Sequence, residues 1–169
     1  GVHCNLIQAP TTIDPPNNDD IYNLICKDSK QCASSIINCP SNGHCLINCV
    51  GYGSCSGSII NCPTNAPCQI VCANEYACYH STINGPKDNV FTILCDQNSA
   101  CEGLTVHAED SEYFYFSVPT YTGASNARNT TIYYPPRDSV TDRPRSMIYL
   151  ANTLSLGAIA VSYTHLRAH

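Results

Sequence analysis

Residues 35–49 read SIINCPSNGHCLINC and residues 58–72 read SIINCPTNAPCQIVC, the same phrase set down twice at an interval of 23. Residues 81–95, STINGPKDNVFTILC, carry it a third time with Gly85 and Phe91 where the earlier copies have cysteine. In lines of 23, Cys26, Cys49, Cys72 and Cys95 fill one column and Cys32, Cys55, Cys78 and Cys101 a second. A third column holds Cys39 and Cys62 and a fourth Cys45 and Cys68, so a full unit runs C-x5-C-x6-C-x5-C-x3. Other columns keep register as well: Ser35, Ser58, Ser81; Ile37, Ile60, Ile83, Val106; Asn38, Asn61, Asn84; Pro40, Pro63, Pro86; Ile47, Ile70, Ile93, Phe116. A fixed period of this length signals an architecture whose units bury a core only by stacking on their neighbours.

Each unit holds two short β-branched runs bounded by Pro, Gly, Asn or Ser, as at residues 35–38 and 46–48, and these predict strands. Strand alternation puts Ser35, Ile37 and Cys39 on one face, and likewise Cys45, Ile47 and Cys49. The face that keeps its identity from unit to unit should point inward. Its neighbours vary, as outward positions do: Ile36, Ile59, Thr82, Thr105 on one strand and Leu46, Gln69, Thr92, Tyr115 on the other.

The pattern outlives its cysteines. The column of Cys39 and Cys62 continues as Gly85 and Ala108, while that of Cys45 and Cys68 continues as Phe91 and Phe114 and is preceded by Tyr22. The other pair of columns fails together at Val118 and Ala124. Bridges within a unit, Cys26 to Cys32 and Cys39 to Cys45, account for this paired loss. Bridges up a column, Cys26 to Cys49, also leave every column even, and spacing does not decide between them. Cys4 is then the odd thiol, a candidate for an intermolecular bond or for a partner elsewhere in a longer chain.

Four regions follow. Residues 1–25 are a degenerate first coil or cap, 26–118 the repeats, 119–160 diverged coils containing an inserted loop, and 161–169 a tail. After Val118 the register slips by about three residues, since Ile132-Tyr133-Tyr134-Pro135 matches Ile37-Asn38-Cys39-Pro40. The insertion, around residues 122–130, contains the sequon Asn129-Thr130-Thr131, which marks Asn129 for glycosylation. Residues 147–160, MIYLANTLSLGAIA, are too short and too interrupted to span a membrane and suit a last coil or strand. Residues 161–169, VSYTHLRAH, resemble what one frame of a transposase sequencing adapter encodes, and are expected to be non-native. The chain opens at Gly1 without an initiator Met, as a processed product or a fragment does.

Thirteen cysteines in 169 residues predict an oxidising compartment, hence a secreted or cell-surface protein. A net charge of −5 with eight scattered Lys and Arg leaves no basic stripe, which argues against nucleic acid and anionic membrane as partners. Zinc is the rival use of the thiols. The closest spacing is C-x3-C, at Cys45/Cys49 and Cys68/Cys72, without the two-residue knuckle that lets both thiolates reach one ion. Calcium is the alternative for the turn Glu109-Asp110-Ser111-Glu112, which offers three carboxylates close in sequence. Asp96 with Glu102 is the other acidic pair, yet neither set recurs on successive lines as a glycan-cleaving groove requires, and His44, His80 and His107 fall in different columns. No catalytic residues, metal or cofactor are therefore assigned.

The units quoted above resemble the cysteine-rich tandem repeats of secreted and surface proteins of unicellular eukaryotes, and their stacking resembles the right-handed parallel β-helix. The resemblance covers residues 20–118 clearly. It implies an all-β solenoid of 23-residue coils, with Asn38, Asn61 and Asn84 forming an asparagine ladder. The function expected is that of an extracellular structural protein, a self-associating subunit of a coat, appendage or filament. The alternative is a carbohydrate-binding or adhesion module using outer aromatic positions such as Tyr52, Tyr76, Tyr79 and Tyr115, and behind it a polysaccharide-cleaving enzyme.

Overall fold

The computed structural model describes residues 11–119, 126–150 and, as backbone, 159–162. Its strands are β1 (Thr11–Ile13), β2 (Tyr22–Cys26), β3 (Ser35–Asn38), β4 (Cys45–Cys49), β5 (Ile59–Asn61), β6 (Cys68–Cys72), β7 (Thr82–Asn84), β8 (Val90–Cys95), β9 (Thr105–His107), β10 (Tyr113–Val118), β11 (Thr131–Tyr134), β12 (Ser146–Leu150) and β13 (Ile159–Ser162). Odd-numbered strands form a seven-stranded sheet in the order β1-β3-β5-β7-β9-β11-β13, and even-numbered strands a six-stranded sheet in the order β12-β10-β8-β6-β4-β2. All pairings are parallel, and the chain is a β-solenoid in which each coil lays one strand on each sheet.

Like residues lie over like. Ile37 pairs with Ile60, Ile60 with Ile83, Ile83 with Val106 and Val106 with Ile132. On the other sheet Leu24, Ile47, Ile70, Ile93, Phe116 and Ile148 follow in register. Of these, Ile37 to Ile132 on the first sheet and Ile47 to Phe116 on the second are fully buried, so the two inward columns make the core. A dense apolar interior of this kind is the main favourable term in folding.

The period flexes where the chain inserts residues. Thr11 faces Ser35, a step of 24, whereas Thr105 faces Thr131, a step of 26, and Phe114 faces Ser146, a step of 32. The three extra residues of the fifth coil enter between Ser117, still 23 from Leu94, and Asn126, whose carbonyl already accepts from Cys101 N–H. Residues 147–150 and 159–160 of the segment expected to form a last coil join both sheets, and the backbone of Val161 and Ser162, from the expected tail, continues β13. The rest of the 161–169 tail lies outside the described residues, as does Cys4.

Among the described residues the third side of the coils contains no strand and is still laddered. Lys30, Cys32 and Ser34 donate their amides to the carbonyls of Tyr52, Ser54 and Ser56 one coil on, at 2.9, 2.7 and 2.8 Å. Gly53, Cys55 and Gly57 repeat this toward Glu75, Ala77 and Tyr79, and between them short bonds such as Ser54 N–H to Gly51 C=O close tight turns. The alternation requires left-handed backbone in two columns: Lys30, Gly53, Tyr76 and Ser99, then Ser34, Gly57, His80, Gly103 and, past the insertion, Asn129. Glycine suits position 103, where φ is 70° and a Cβ would stand 2.9 Å from the His80 ring, so that a larger residue would have to displace that ring.

Candidate binding surfaces

Disulfides close two corners of the repeat. The pairs are Cys26–Cys32, Cys39–Cys45, Cys49–Cys55, Cys62–Cys68, Cys72–Cys78 and Cys95–Cys101, all with Cα–Cα distances of 5.8–5.9 Å. These lie within the usual range for a bridge. The connectivity left open by spacing is thus within the unit. Cys39, Cys45 and Cys68 are the one group of three metal-capable side chains with ligand atoms within 4.8 Å among the described residues, and all three are spent in bridges. Zinc has no free thiolate there.

Where the third and fourth columns lose cysteine, a ring takes the bridge's place. Phe91 and Phe114 are fully buried with centroids 5.1 Å apart. Gly85 makes the room: a Cβ added to it would lie 2.5 Å from Phe91 Cδ2 and 2.8 Å from the His107 carbonyl oxygen. Tyr22 holds the same position in the first coil, paired with Cys45. Partial burial and then the nearby Asp14 carboxylate push its phenol above the usual range.

Beside this corner run amide ladders. Asn84 donates to Asn61 at 2.8 Å, Asn61 to Asn38 at 2.9 Å, and Asn38 to the Asp14 carboxylate at 2.8 Å. A parallel ladder runs from Asn65 to Asn42 at 3.0 Å and on to Asp19 at 3.3 Å. Both ladders end at an acid that accepts without donating. Between them lies a groove of about 370 Å³ lined by residues including Asp14, Asn18, Ser41 and Thr64. The serine column is internal, Ser58 and Ser81 both donating to the Cys55 carbonyl. These hydroxyls stabilise coil stacking and have no access to a substrate.

The acidic turn gathers two of its three carboxylates. Ser111 turns inward to donate to Pro86 C=O at 2.8 Å, Glu109 lies 3.6 Å from His107 Nδ1, and Glu112 is exposed. Of the three carboxylates weighed as an alternative calcium set, Glu109 and Asp110 line one hollow with His107, and Glu112 is not among the residues lining it. His107 stacks on Tyr133 at 4.9 Å, while His80 meets the edge of Tyr79 at 4.1 Å on another side of the molecule. Asn129 is exposed at the left-handed position of its turn, and Thr131, the third residue of its sequon, begins β11.

Three of the four tyrosines named from the sequence come together on the laddered third side. Tyr52 and Tyr76 meet edge to face at 5.7 Å and Tyr76 and Tyr79 at 5.2 Å, around a cleft of about 260 Å³ completed by Lys30, Gly53 and Ser56. Tyr115 does not join them: it lies in β10, in register with Thr92 and Met147. Lys30 and Ser56 carry no motif of their own, and only the period ties them to this cleft, since Lys30 shares a column with Gly53 and Tyr76, and Ser56 with Tyr79. Comparison with family models, with curated proteins and with solved structures found no match to this chain.

Proposed function

We propose that the chain is an extracellular structural protein, a stiff segment of a cell-surface coat, appendage or filament that joins further copies of itself end to end. The observation that carries this reading is the in-register superposition of the repeats over residues 26–104, where successive coils are tied by ladders on all three sides and braced internally by bridges. Closing each seven-residue loop contributes roughly 2 kcal/mol on the chain-entropy model. Such bracing lets a thin rod hold its shape in an oxidising exterior. Among the described residues, β1, β2, β12 and β13 each have one ladder neighbour. An unpaired strand edge is a template for another strand, and head-to-tail contacts of that kind grow open filaments. Negative-stain electron microscopy and sedimentation across a concentration series test the proposal. Rods lengthening with concentration support it, and uniform single particles at every concentration refute it.

A further inference from the structure

We propose that the cleft between Tyr52, Tyr76 and Tyr79 is a binding site for a pyranose ring carrying an acidic group, as in a uronic-acid glycan. Whether rods join end to end does not bear on it. The rings stand nearly perpendicular, at 74° for Tyr52 and Tyr76 and 86° for Tyr76 and Tyr79, so the cleft has aromatic walls rather than one flat stack. Tyrosine offers an apolar face and a hydroxyl tip, and Ser56 adds a further hydroxyl. That lining matches a molecule with a C–H face and a hydroxyl rim. At about 260 Å³ the cleft falls just below the roughly 300–1,000 Å³ typical of drug-sized ligands, which suits one ring of a longer chain.

Charge selects for an acidic group on the ligand. In a chain of net charge −5, this cleft is lined by Lys30 and by no carboxylate, whereas the groove near Asp14 and the hollow near Glu109 and Asp110 both carry acids. The lysine stem lies over Gly53, where an added Cβ would be 3.5 Å from Lys30 Cγ. The backbone beneath is fixed, because Lys30, Gly53 and Tyr76 all bond to the next coil. A site on so rigid a support loses little freedom when it binds. Tyr76 also holds a φ of 56°, a conformation awkward for a bulky residue, in a column that has glycine one coil earlier.

The test is titration of the whole chain with tetragalacturonate, with maltotetraose as the neutral counterpart and sodium sulfate as the bare anion. The chain has eleven Tyr and no Trp, so intrinsic fluorescence reads the tyrosines directly, and calorimetry supplies the affinity. Saturable binding of tetragalacturonate is expected, weaker for maltotetraose. Tyr76→Gly suits the left-handed backbone and should weaken binding about tenfold, the change for one lost aromatic contact. Lys30→Asn, also tolerant of that backbone, should remove the preference for the acidic probe. Four results would each overturn the proposal: no saturable binding, affinity untouched by Tyr76→Gly, equal binding of the neutral probe, or full displacement by sulfate at equal concentration.

Discussion

Adding one methyl at Gly85 should destabilise this protein, although Gly-to-Ala changes in extended backbone usually help. An ideal Cβ there would lie 2.5 Å and 2.6 Å from two carbons of Phe91 and 2.8 Å from the His107 carbonyl oxygen. Neither neighbour can yield: Phe91 is fully buried, and that oxygen accepts the Gly85 amide at 2.8 Å. Overpacking of this kind costs about 1–3 kcal/mol, of which the stiffer unfolded chain offsets about 0.4–1. Gly85→Ala should therefore lose about 1–2 kcal/mol, read as a lower urea midpoint by far-UV circular dichroism under non-reducing conditions. The companion variant Gly85→Cys with Phe91→Cys copies the preceding coil. Deleting the ring alone costs about 3 kcal/mol, while a bridge over this loop contributes about 2, so the pair should fall within about 1 kcal/mol of the parent. A neutral Gly85→Ala, or a double variant that loses the full cost of the ring, would refute the equivalence of ring and bridge.

Other expectations can be checked in the same way. Asn61 both donates to Asn38 and accepts from Asn84, so Asn61→Ala should cost about 1–2 kcal/mol, and Asn48→Ala, with one such bond to Asn23, about half that; equal midpoints would count against the ladder. Ile60→Ala should cost about 3 kcal/mol and its neighbour Ile59→Ala under about 0.5, because the first is 0% and the second 42% exposed. The Asp138 carboxyl is held below its ordinary value of 3.8, chiefly by the Thr141 and Val140 amides. A lowered folded pKa means the stabilisation is present above 3.8 and lost as pH falls through the lower value. Amide shifts of Val140 and Thr141 should thus titrate with a midpoint below 3.8, and a midpoint at or above it would contradict the hydrogen bonds.

The sheets were legible because their signal is periodic and redundant. Ile37, Asn38 and Cys39 each repeat at the same interval, so a register error would turn every inward residue outward at once. The paired loss of cysteines was informative for a physical reason, since a lone thiol at Gly85 would meet the Phe91 ring. The third side was hidden, because its left-handed columns mix Lys30, Gly53, Tyr76 and Ser99, and only glycine advertises that backbone. For the same reason the tyrosine cleft showed as scattered aromatics and lacked its lysine. The step of 32 residues from Phe114 to Ser146 was equally obscure. It spans the loop of Arg137, Asp138 and Asp142, which closes on itself through Arg137 Nε to Asp142 Oδ1 at 3.0 Å and leaves no repeat to count.

The central claim is that like residues of successive coils touch. Isoleucine methyl-labelled protein observed by nuclear Overhauser spectroscopy tests it most directly. Cross-peaks should link Ile37 to Ile60, Ile60 to Ile83, and Ile47 to Ile70 to Ile93, each pair being adjacent in a parallel ladder about 4.8 Å apart. Methyl groups of these residues that show no mutual contact in a folded, oxidised sample would contradict the stacking and every inference drawn from it.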